Sequence, residues 1–286
     1  MNISESLFQA LSTQCQPKEL DWLRDKSAKD ANSLSLSFVM VPRFIEKQEL
    51  ENDVLSQAAS ILPDWNWNGW TLDRLARVYL LSLCQERELS REEYIKKLNL
   101  LFDTAELNES VALYSAIPVL AFPDAWMNRA TDAVRSNVGL IFDAIAFGNP
   151  YPKTYFSELA WNQLVLKCIF NDKPIHQIEG LAERNNEALV QTLVDFAHER
   201  WAANRRVPSQ VWRLLVPYLN PEILPNIEKL IHSDSASDRL AAALVLAQSS
   251  LPEAKLLVEK YKNELPAVPI ELWGALEKPE PIYQPA

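Results

Sequence analysis

The chain has 286 residues, of which 48% are apolar and only 5 are glycine, with a formal net charge of −10. That charge is spread along the chain and opposes nucleic acid or an anionic membrane as a general partner. So few glycines leave no phosphate-cradling loop and few left-handed turns, which excludes dinucleotide and phosphoryl-transfer sites and points to an all-α chain.

Residues 3 to 14 and 17 to 29 carry the spacing of two surface helices, the second with Leu20, Trp22 and Leu23 inward. Between Asn32 and Val41 the apolar residues alternate as in a strand, but a strand without neighbours is unstable, so a short helix is expected there. Helical spacing resumes over residues 48 to 61. Pro63-Asp64-Trp65-Asn66-Trp67-Asn68-Gly69-Trp70 follows, an aromatic loop that reads as a plug between helices before it reads as a stacking platform for a ligand. Thr71 is expected to cap a helix running to about Glu86, with Arg77 among its apolar residues. Ser90-Arg91-Glu92-Glu93 is a capping box opening the next helix, and further helices are expected over 108 to 121, 123 to 136 and 138 to 147, the last polar only at Asp143.

Asn149-Pro150-Tyr151-Pro152 reads as a rigid entry to one helix capped by Thr154 and reaching Phe170. Apolar residues surround almost the whole of that helix, which predicts burial on most sides. Glu158 and Asn162 lie in line with Val165 and Ile169 and are expected to point inward, where a carboxylate requires a partner. Arg200, in the middle of the apolar face of a helix over 186 to 203, is the leading cation for Glu158 or Asp143. Beyond Pro208 the helices repeat at about thirty residues, giving a helical array of α-solenoid type with HEAT-like character toward the C-terminus. The expected organisation is one helical domain over 1–278, with HEAT-like helices over 209–278, and a Pro-rich tail over 279–286.

No zinc-protease, nucleophile-elbow or nucleotide-loop pattern occurs, and the three histidines are not paired at helical spacing. Asp195, His198 and Glu199 share a helical surface that reads as a solvated face before a metal site, so no metal and no cofactor are expected. Cys15, Cys84 and Cys168 are far apart and read as free buried thiols. The lack of a signal-peptide pattern or a bilayer-length apolar run predicts a cytoplasmic protein without stable membrane insertion.

Asn149-Pro150-Tyr151-Pro152, Tyr155-Phe156, Ala160-Trp161-Asn162-Gln163, Leu166-Lys167 and His198-Glu199-Arg200-Trp201 together resemble the bacterial EboA family. Arg135, Asn137, the segment from Phe142 to Ala146 and that from Leu101-Phe102 to Tyr114 fit as well, so the resemblance covers roughly residues 90 to 220. It implies a gene cluster that also encodes a TatD-like metal hydrolase, a prenyltransferase-like membrane protein and a sugar-isomerase-like protein. In cyanobacteria that cluster is linked to moving a precursor of the pigment scytonemin to the periplasm. No reaction is implied for EboA itself.

Two functions remain open from the sequence. A non-catalytic helical module would bind another ebo-cluster protein or a small aromatic metabolite through Trp161, Trp201, Tyr151 and Arg200, with Asp143, Glu158, Asn162 and His198 in the surrounding polar set. An enzyme of secondary metabolism would use Asp143 or Glu158 as acid or base.

Overall fold

The computed structural model describes residues 2–277, so the expected Pro-rich tail over 279–286 lies outside the described residues. Within that range the fold is all-helical; its only β-type pairing is an isolated antiparallel bridge between Glu49 and Thr71. The chain gathers into two compact units, the first holding the residues up to Leu164 with Gln177–Gly180, the second Val165–His176 and the described residues from Leu181 on.

The first unit is built around the helix Leu72–Cys84, in which every residue except Arg74 is buried. A helix apolar nearly all round cannot sit at a surface. It packs against Ile3–Gln14, Ala31–Met40 and Leu107–Ala116. Ile3–Gln14 is the surface helix its spacing predicts, with Leu7, Ala10 and Leu11 fully buried in this contact and Glu5, Gln9, Ser12 and Thr13 exposed. Ala31–Met40 is helical, and Asp30 caps it by accepting from Asn32 and Ser33 backbone N–H groups. The capping box at Ser90 forms with both of its bonds. The stretch over 48 to 61 holds only the single turns Asn52–Leu55 and Ala58–Ile61.

The aromatic loop plugs this unit. Trp65, Trp67 and Trp70 are buried with ring centroids 5.3 to 5.9 Å apart, two of the pairs edge-on. Asn66 N–H donates to Gly148 O at 2.9 Å, and Gly148 has φ +57°. A Cβ there would lie 2.5 Å from the Asn66 carbonyl oxygen, so only glycine lets the loop close against this turn. Asn149 then ties neighbouring ends together, its Nδ2 donating to Tyr114 O and Ala144 O and its Oδ1 accepting from Tyr151 N–H.

In the second unit Glu187–Ala202, capped by Asn186 at Leu189 N–H, packs on the 3-10 segment Ser209–Tyr218. Ala236–Gln248 packs on that segment and on Leu224–Ile231 and Pro252–Lys260. Asp238 is the polar anchor here: it is 8% exposed, and its two carboxylate oxygens accept from Ser209 and Ser233. Arg239 donates to Ser233 O beside it.

Candidate functional site

The second unit has an open pocket of about 270 Å³, lined by Ile169, Phe170, Asp172, Phe196, Glu199, Arg200, Ala203, Arg205 and Pro208. Two helix ends make it. Glu187–Ala202 stops in a Schellman turn: Asn204 takes φ +53°, its N–H reaches Trp201 O at 3.0 Å, and Arg205 N–H reaches Arg200 O at 2.8 Å. The last turn of Glu158–Phe170 stops the same way, with Asp172 at φ +52°, its N–H bonded to Ile169 O, and Lys173 N–H bonded to Cys168 O at 2.9 Å. Asn and Asp accept the left-handed geometry that a β-branched residue would resist, so two short polar residues replace the scarce glycines.

These turns bring two rings and four charges together. Phe170 and Phe196 lie 4.9 Å apart, and Phe170 stays 55% exposed. Arg200 is half-buried, with Nε donating to Arg206 O at 2.7 Å and its guanidinium carbon 5.8 Å from the Phe196 centroid. Its terminal nitrogens have no acceptor among the described residues. Asp172, Glu199 and Arg205 are exposed and form no side-chain bond among the described residues. Both helices point their C-termini here, and the unfilled carbonyls add partial negative charge that favours cations. The pocket can therefore hold an aromatic ring together with one acidic and one basic group.

The sequence-predicted residues divide. The break in the predicted long helix corrects the inward set: Tyr151–Tyr155 is a short helix of its own, Phe156 is extended, and Glu158–Phe170 starts afresh. Ser157 Oγ accepts from Ala160 N–H at 3.3 Å, and Thr154 donates instead to Pro150 O, so Ser157 is the cap. Glu158 thus falls in a first turn where burial has not begun and is exposed; the first buried residue of that helix is Trp161. Asn162 and Asp143 are only half-buried. Arg200 serves Arg206 O and the Phe196 ring, so no sealed carboxylate–guanidinium pair forms around it.

The aromatic members belong to the core or to helix packing. Trp161 is fully buried, and Tyr151, 1% exposed, donates its hydroxyl to Pro123 O at 2.6 Å. Trp201 stacks on Trp212 at 5.6 Å beneath the Lys229 ammonium, and His198 Nε2 meets Asn226 Oδ1 at 2.9 Å. Of the predicted set only Arg200 lines the pocket. Phe170, Asp172 and Arg205 were missed, although a polar Asn or Asp directly after a helical run is a C-terminal stop signal. No group of three or more His, Cys, Asp or Glu side chains is placed to hold a metal among the described residues.

No curated protein matches the chain, and no solved structure does. A family model described as metabolite traffic protein EboA matches residues 3–216, which takes in the N-terminal third that fits the sequence motifs more loosely. The match spans both helix ends that form the pocket, and on it the chain belongs to the EboA family.

Proposed function

We propose that this chain is a non-catalytic accessory protein of metabolite traffic, and that its pocket receives a small aromatic compound carrying both a carboxylate and an amine. The observation that carries this reading is the Arg200 fork, held by Arg206 O yet with open terminal nitrogens beside the exposed Phe170 ring. A carboxylate suits that fork, a ring suits Phe170 and Phe196, and an ammonium suits Asp172, Glu199 and the two helix C-termini. In its finer form the cargo is a scytonemin-type precursor handed on from the cytoplasm to another ebo-cluster protein. The helices from Leu224 to Lys260 act in this reading as a HEAT-like docking surface. Among the described residues no helix is long and apolar enough to cross a membrane. The acid–base reading is the weaker one, because Glu158 stands exposed with no enclosed site around it.

Calorimetric titration with tryptophan, indole-3-propionate and tryptamine tests the pocket. Tryptophan is expected to bind tightest, with each deletion of a charged group weakening it about tenfold or more, since a charge-assisted hydrogen bond contributes roughly 1.5–3 kcal/mol. Arg200→Met should abolish the preference for the carboxylate while leaving the fold intact. Equal binding of all three probes, or unchanged binding in the variant, would overturn the assignment.

A further inference from the structure

The first unit carries a different cationic feature, one residue from its buried ion pair. Arg74 is the one half-buried residue of Leu72–Cys84, and it sits deep enough for burial to push its pKa down to about 9. Its Nε donates to Ser115 Oγ at 2.8 Å, and Ser115, fully buried, spends its own hydrogen on Val111 O. The guanidinium carbon stands 4.2 Å from the Trp70 ring centroid. Serine and tryptophan thereby fix the plane of the group and leave its outer edge free.

That edge has no acceptor among the described residues. The sealed, unsatisfied side-chain atoms include Asp73 Oδ1 but neither terminal nitrogen of Arg74, so the fork is not fully sealed. Asp73 gives its other oxygen to Arg77 at 3.1 Å; its charge also reaches Arg74, but among the described residues no carboxylate hydrogen-bonds the Arg74 fork. In a chain of net charge −10, this guanidinium shares a carboxylate whose hydrogen bond goes to Arg77.

We infer that Arg74, oriented by Ser115 and backed by Trp70, is a second binding site, separate from the Arg200 pocket, for a carboxylate. Two free donors in one plane and a single positive charge match a carboxylate's two oxygens and single negative charge. A phosphate dianion would need further donors, and Ser115 has none to give. The Trp70 face beside the fork excludes water on one side and strengthens the pair.

Thermal melts at constant ionic strength, with acetate or phosphate replacing chloride, read this site without any cargo. Because the Arg200 fork would take acetate too, the melts are read in Arg200→Met: acetate is expected to raise its Tm and to leave Arg200→Met/Arg74→Met unmoved. Arg74→Lys, which keeps the charge and the stem but not the fork, should need at least tenfold more acetate, and it serves if the Met variant does not fold. No shift with acetate in Arg200→Met, an equal shift when either Arg74 variant is added to it, or a phosphate shift as large as that of acetate would overturn the inference. Loss of the acetate shift in Arg200→Met alone would instead place the anion in the other pocket.

Discussion

Two arginines, one in each unit, are treated differently. In the first, Asp73 and Arg77 are 7% and 3% exposed and paired one helical turn apart, with Arg77 Nε also donating to Phe38 O at 3.3 Å. In the second, Arg200 keeps an open fork between two helix ends. A sealed pair of this kind holds packing in register, because breaking either half strands the other in a medium that cannot solvate it. A half-buried cation with free donors contributes little to the fold and is available for a ligand. Where the charge sits relative to solvent thus separates a sealed arginine from one left open.

The largest effect should come from Asp73→Ala, which leaves Arg77 buried without its anion and is expected to cost about 3–5 kcal/mol in urea unfolding. Truncation of Arg200 to Met should cost under about 1 kcal/mol in the same assay. If the two losses were alike, the contrast between the units would fail. The thiols give a smaller, pH-dependent effect. Burial raises Cys15 to about 12 and Cys84 to about 11 from 9.0. Above pH 9 the unfolded chain sheds thiol protons that the folded chain keeps, so these groups make stability fall as pH rises from 9 toward 11 and 12. Cys15→Ala/Cys84→Ala should show a shallower decline, and native protein at pH 8 should not react with a thiol reagent before it unfolds. Least affected should be Glu158→Gln, within about 0.5 kcal/mol, because the carboxylate is already in water. A larger loss would return Glu158 to the interior.

Much of the fold was legible. The helical class, the Ser90 capping box and the inward Arg77 follow from periodicity and caps, which act over one turn of chain. The aromatic loop could be read as a plug because three tryptophans in six residues exceed what one surface can leave exposed. Glu158 and Thr154 failed for one local reason: Ser157, three residues beyond Thr154, restarts the helix, so the stripe that was traced through Glu158 begins only at Trp161. Periodicity fixes which side a residue faces but not whether anything lies on that side.

What the amino-acid order settled by itself is therefore the helical character, the Ser90 start and the family. Which charged side chains are sealed and which stay open was decided by tertiary packing alone. Phe170 and Arg205 meet in one pocket only because two helix ends, far apart in the chain, turn left-handed at Asp172 and Asn204 beside each other. Arg74 and Arg77 differ by three positions on one helix, and the neighbours around each, Trp70 and Ser115 against Asp73 and Phe38, separate the open fork from the closed pair. Burial and ion pairing depend on atoms brought from elsewhere in the chain, and no local pattern encodes their arrival.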